Sequence, residues 1–205
     1  MNYKTVDHKA SFEIEIKKSI FIGNAAPVTS EEEAIAFIND IRKTYSDARH
    51  NVYAYLLREN SLMRYSDDHE PQGSAGMPVL DVIRKSGITD VVVTVTRYFG
   101  GVLLGVGGLV RAYTDAAAGA IAEASVVEIL LSAMAKISCT YSDYQRILPL
   151  LELHQGKVLD TVFEANVVLT VTFPYEDTSL ISQKICDDTA GRASFELLKP
   201  EYKKW

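Results

Sequence analysis

Residues 90–97, DVVVTVTR, constrain the fold of this chain more than any other segment. Four valines and two threonines make the strongest strand signal, apolar enough for burial on both faces. Gly100, Gly101, Gly105, Gly107 and Gly108 follow within residues 98–108. That density predicts a loop, then a helix from about residue 109 to 124. Its Tyr113, Ala116, Ala117, Ala120 and Ile121 pack small and large on one side, which suits close contact with a sheet.

Other elements follow from periodicity. Phe12, Ile14 and Ile16 alternate with charged residues on one strand, and residues 19–26 read as a second. Ser30 and Glu33 have capping-box spacing and open a helix whose stripe is Ala34, Ile35, Phe37, Ile38 and Ile41. Residues 51–57 read as a strand, 66–78 as a loop, and 79–85 as a short helix stopped by Gly87. Beyond Ser125 the order becomes strand 134–141, helix 144–153, hairpin 157–173, helix 178–189 and strand 193–198. That β-α-β-β-α-β order is the split-βαβ, ferredoxin-like arrangement. The expected organisation is two α+β domains, 1–131 and 132–205. Residues 126–135 hold no Pro or Gly, so the junction reads equally as a shared strand. Residues 200–205 read as a frayed tail.

Composition excludes several classes. With 47% hydrophobic and 23% charged residues the chain is not disordered. A net charge of −6, split as −4 and −2 between the two domains, excludes a general polyanion binder but leaves room for a local basic face. The first eighteen residues lack a signal-peptide pattern, and residues 102–110 are too short and Gly-rich to span a bilayer. Cys139 and Cys186 fit no zinc or disulfide spacing, and both are expected to pack as small buried groups. These features predict a cytoplasmic protein with no membrane partner.

Two constellations carry chemistry. Arg97, Tyr98, Phe99 and the five glycines lead into a helix start, whose unpaired N–H groups and dipole favour an anion. Arg97 and Arg111 can add forked donors, and the aromatic rings can stack on exposed bases. Neither a Walker A loop nor GxGxxG is present, because Val110 stands where the third Gly belongs. The alternative is a compact turn, with both arginines paired to acids elsewhere. The second constellation is Asp67, Asp68, His69 and Glu70. These residues suit a turn and helix cap, a polar functional surface, or an Mg²⁺ or Mn²⁺ site, and no distant ligand identifies a metal. His50 sits at a strand start and can face the same loops. No nucleophile–base pair can be traced, so no catalytic residue is assigned and no cofactor is implied.

Tyr65-Ser66-Asp67-Asp68, Glu70-Pro71, Gly73, Ala75-Gly76 and Pro78 resemble one half of a family signature. Residues 91–101, Leu104-Gly105, Gly107-Gly108-Leu109-Val110 and Ala112-Tyr113 resemble the other. Together they resemble the YigZ/IMPACT family of small bacterial proteins related to a eukaryotic translation regulator, over nearly the whole chain. The departure is His69, where the family usually carries Gly. The resemblance implies a domain like domain 2 of ribosomal protein S5, then one similar to the last domain of elongation factor G. Eukaryotic relatives restrain a stress kinase through an additional N-terminal domain, and that activity is not carried over. Three functions stay open: a translation-associated binder of RNA or the ribosome through the Gly/Arg/aromatic loop, a small-molecule enzyme or phosphate-ligand binder using both loops, and a protein-interaction adaptor.

Overall fold

Alternating side chains set the first sheet. In the computed structural model, which describes residues 2–204, β1 (Tyr3–Val6) precedes β2 (Ala10–Ile16) and β3 (Ser19–Pro27). Phe12, Ile14 and Ile16 turn inward on β2 while Ser11, Glu13 and Glu15 are exposed. Lys17 and Lys18, at φ 48° and 65°, form the two-residue turn between β2 and β3. Two positive φ values in succession match the twist of a hairpin.

Helix α1 (Glu31–Thr44) begins at Ser30, whose Oγ accepts from the Glu33 N–H at 3.3 Å. The reciprocal half of the box is displaced by one residue. Glu33 Oε2 accepts from the N–H and hydroxyl of Thr29, at 2.6 and 2.9 Å. Then come β4 (His50–Leu57), a 3-10 turn, β5 (Leu62–Ser66), α2 (Gly76–Lys85), β6 (Val91–Tyr98) and α3 (Gly105–Glu123). The strands form one antiparallel sheet in the order β2-β3-β6-β4-β5. β6 is its middle strand. Val91, Val93 and Val95 join Phe21, Val52 and Ala54 beneath α2 and α3, whereas Val92 joins Ala26, Tyr55 and Leu57 beneath α1. Covering on both faces accounts for the unbroken valine run.

Three boundaries differ from the sequence reading. β5 is an edge strand without clean alternation, formed by pairing with β4. Helix α2 starts at Gly76, because Asp67 supplies its cap from nine residues upstream. Helix α3 starts at Gly105 and not near Leu109, so Gly105, Gly107 and Gly108 form its first turn. The glycines disfavour helix by about 1 kcal/mol each, but Leu104 docks on the core and extends the packed helix back to itself. The contact with the sheet is close: a Cβ on Gly23 would lie 2.3 Å from the Ala116 carbonyl oxygen.

The chain divides into a unit from Tyr3 to Glu128 and a unit from Ile129 to the end of the described residues, with Asn2. The division falls inside β7 (Val126–Cys139), so the stretch without Pro or Gly is strand. The second unit continues with α4 (Tyr141–Leu153), β8 (Lys157–Phe163), β9 (Val167–Pro174), a 3-10 turn, α5 (Thr178–Asp188), β10 (Ser194–Leu197) and β11 (Glu201–Lys204). Its strands run β10-β7-β9-β8, all neighbours antiparallel. Ala133, Ala135 and Ile137 with Val167, Leu169, Val171 and Phe173 share a core with Ile147, Leu151, Ile181 and Ile185 of the helices.

Two expectations are corrected here. Glu201–Lys204 is not a frayed tail: β7 extends past β10, and the alternating Glu-Tyr-Lys-Lys segment pairs with that free edge, Glu201 opposite Ser132. Trp205 lies outside the described residues. Cys139 is buried as expected, but Cys186 is exposed, because the buried face of α5 runs through Ile181 and Ile185. Among the described residues no helix is long and apolar enough to cross a membrane.

Candidate functional site

The acidic loop spreads its four side chains over separate tasks. Asp67 is a cap: Oδ1 accepts from the N–H groups of Ala75 and Gly76 at 3.0 and 2.8 Å, and Oδ2 from Gly73 at 2.8 Å. Asp68 Oδ2 accepts from the Asn51 N–H at 2.6 Å, with Arg42 3.6 Å from Oδ1. His69 is exposed at φ 70°, in the left-handed region where glycine is least strained. Glu70 points inward and is buried. Asp67 and Asp68, the bases an enzyme would draw on, therefore already serve backbone amides. Among the described residues no three His, Cys, Asp or Glu side chains converge to hold a metal.

Glu70 gathers its neighbours on one oxygen. Oε1 accepts from Arg97 Nη1 at 2.7 Å and from the Tyr113 hydroxyl at 2.8 Å, with His50 Nε2 4.0 Å away. His50 Nδ1 lies 2.8 Å from the Asp68 carbonyl oxygen, which places the proton of neutral His50 on Nδ1. Burial, then the charge of Glu70, pushes the Tyr113 hydroxyl well above the ordinary tyrosine range. Arg97 is only 6% exposed and its guanidinium stands over the rings of Phe21 and Phe99, at 5.5 and 5.6 Å. Its Nε is buried without a partner. Arg97 is thus tied to an acid elsewhere in the chain, and its contribution is to hold the end of β6.

Beyond Arg97 the chain becomes exposed. The Tyr98 hydroxyl donates to Asp47 Oδ1 at 2.7 Å, and that bond is the main reason its pKa is pushed up to about 12. Phe99 is 53% exposed and Leu103 83%, with Val102 and Val106 exposed between and beyond them. Gly100 pins the loop to the β2–β3 turn. Its N–H donates to Ser19 Oγ at 3.1 Å, and a Cβ there would lie 1.9 Å from the Lys18 carbonyl carbon. Gly101, at φ 82°, completes the turn. Exposed Lys17 and Lys18 are thereby fixed beside the glycine segment.

The start of α3 is open. Leu104 at the N-cap provides no side-chain cap, and the first turn has no acidic residue. A Cβ on Gly107 or Gly105 would meet nothing within 4 Å. Arg111 is exposed four residues beyond Gly107, on the same helix face, and helical side chains lean toward the N-terminus. Free N–H groups, a positive dipole end and nearby cations can together hold an anion. The structure does not place Arg97 and Arg111 in one environment: Arg97 is buried on Glu70, and Arg111 is free among the described residues.

Sequence reasoning missed four contributors: Lys17, Lys18, Asp47 and the hydroxyl of Tyr113. A two-residue Lys-Lys link between alternating segments signals a hairpin turn, and a tyrosine in an apolar helix stripe calls for a buried partner. Asp47 carries no such signal.

Comparison with known proteins bears on the whole chain. The Impact N-terminal domain matches residues 17–121, and a domain of unknown function, DUF1949, matches residues 137–192. The chain is 34% identical over 196 residues to IMPACT family member YvyE of Bacillus subtilis, covering 95% of this chain and 90% of that one. It is 34% identical over 190 residues to IMPACT family member YigZ of Escherichia coli, covering 91% and 92%. A solved structure described as a hypothetical protein superposes with a TM-score of 0.61 at 30% identity, covering 97% of this chain and 98% of that one.

Proposed function

The chain belongs to the IMPACT family, and from that premise we propose that it is a translation-associated regulatory protein of the cytoplasm that docks on RNA or the ribosome. The docking element is the segment from Tyr98 to Gly108 with Arg111, joined by Lys17 and Lys18. In this reading the first unit is an S5 domain 2-like fold and the second a ferredoxin-like fold resembling the last domain of elongation factor G.

The observation that carries the reading is the uncapped first turn of α3, open at Gly107, with exposed Arg111 four residues on and exposed Lys17 and Lys18 in the turn against which Gly100 packs. A backbone phosphate would accept from the free amides of that turn, and Lys17, Lys18 and Arg111 would neutralise its neighbours. Phe99, half exposed, offers its ring to an unstacked base. Glu70, Arg97 and Tyr113 would keep the platform rigid without touching the ligand. With a net charge of −6, the remaining surface disfavours diffuse binding and confines the footprint to this face.

Phe99, Val102, Leu103 and Val106 form an exposed apolar tip larger than a phosphate contact needs, which favours a protein adaptor as the second reading. Salt separates the two. In fluorescence anisotropy with a ribosomal RNA fragment, K17A/K18A/R111A is expected to bind more weakly. Its log K against log salt should be shallower by about 0.7 for each phosphate that is no longer neutralised. Wild-type affinity and slope in the triple variant overturn the assignment. Binding to a ribosomal protein, insensitive to salt and abolished by Leu103→Asp, selects the adaptor.

A further inference from the structure

On the other face of the sheet, α1 leaves a groove of about 310 Å³ against β4 and β5. Its helix wall is Ile35, Asn39 and Arg42, at spacings that share one face. Its floor is Tyr53 and Tyr55, whose ring planes lie within 11° of each other at 6.3 Å between centroids. Arg64 closes the far side, directly across the strand pair from Tyr55.

The polar groups of this groove are only partly used. The Arg42 guanidinium stands 5.7 Å over the Tyr53 ring and 3.6 Å from Asp68 Oδ1. Arg64 is exposed and donates from Nη1 to the carbonyl of its neighbour Met63. Most donors of both guanidiniums are therefore open, and planar forks of this kind match phosphate oxygens. Asn39 is exposed and offers one donor group and one acceptor, the pair that the edge of a nucleobase requires. Glu31 Oε1 accepts from the Tyr55 hydroxyl and Asp68 Oδ2 from the Asn51 N–H, so both nearby carboxylates are already engaged by other donors.

We propose that this groove binds a nucleoside phosphate, with the base against Tyr53 and Ile35, its edge on Asn39, and the phosphate between Arg42 and Arg64. The volume lies at the lower end of the range for small-ligand sites, which suits one nucleotide and not two. The phosphorylated nucleoside is the shared chemistry, whether free or as a unit of single-stranded RNA. The proposal is independent of the loop reading. The groove lies beneath α1, whereas α3 packs on the opposite side of the sheet.

Calorimetric titration of the full chain with AMP tests it, with adenosine, inorganic phosphate and phosphotyrosine as separate probes. Saturable AMP binding is expected, with adenosine and phosphate each weaker by about tenfold or more, since each lacks one half of the recognised chemistry. Arg64→Ala, a change at an exposed residue, is expected to weaken AMP by about tenfold while leaving the melting temperature unchanged. Tyr53→Leu should weaken AMP and adenosine but not phosphate. Competition by a short oligoadenylate identifies the source as RNA, and lack of competition identifies the free nucleotide. Absence of AMP binding, wild-type AMP affinity in Arg64→Ala, or phosphotyrosine binding as tightly as AMP overturns the proposal. Ribosome or RNA binding through the α3 turn is read separately and stands or falls on its own variants.

Discussion

Glu70 and Arg97 are 2.7 Å apart with side chains 4% and 7% exposed, so removing either strands a charge in the interior. Arg97→Ala is expected to cost about 3–5 kcal/mol in a urea titration. Arg111→Ala, a change at an exposed residue, should stay within about 0.5 kcal/mol of wild type. Equal effects of the two would contradict the division of labour between them. In the sequence these arginines look alike, flanking one glycine segment. What separates them is a partner 27 residues away, a long-range pairing that no local pattern announces. The role of Asp67 is more legible, because an aspartate in a Gly/Ser/Pro loop ahead of a helix commonly bonds backbone amides.

Asp143 shows the same residue-scale logic in the second unit. It is buried, accepts from Arg192 at 2.7 and 3.1 Å and from Thr140 at 2.8 Å, and is held below the ordinary carboxyl value of 3.8, chiefly by the Arg192 bond. A carboxyl with a depressed folded-state pKa stabilises fully above its unfolded value and loses that contribution as pH falls through the folded one. Stability should therefore decline as pH drops below about 4, and Asp143→Asn should flatten that acid limb. An unchanged acid limb in Asp143→Asn would assign the decline to other carboxylates.

At the scale of elements, α3 carries the account. The valine run, the capping serine and the small-residue helix face are all readable, because each is a local pattern with one structural solution. The start of α3 is not. Three glycines suppress helix propensity, and the packing of Leu104 and Leu109 on the core overrides them. β5 is hidden for a related reason, since an edge strand with mixed side chains gains its order from β4. Gly100 and Gly107 then make opposite predictions. Gly100→Ala would drive a methyl into the Lys18 backbone and should destabilise by about 1–3 kcal/mol. Gly107→Ala meets open space and should stabilise the helix by about 0.5–1 kcal/mol. The same Gly107→Ala change should weaken RNA binding, because its methyl covers the open turn. A variant that is more stable and binds RNA as well as wild type would remove α3 from the interface.

For the whole molecule, the constraint is charge. A chain of net charge −6 associates with a polyanion only where its cations are gathered, and Arg111 on α3 and the lysines of the Lys17–Lys18 turn, against which Gly100 packs, are the cations proposed for that place. Family membership covers both units, while the proposed docking residues lie in the first. The most direct measurement is co-sedimentation of the full chain with ribosomes and separated subunits across a salt series, with K17A/K18A/R111A alongside. The account predicts comigration at low salt that fades as salt rises and is abolished in the triple variant. Absence of comigration even at the lowest salt, or comigration that the triple variant retains, would contradict it.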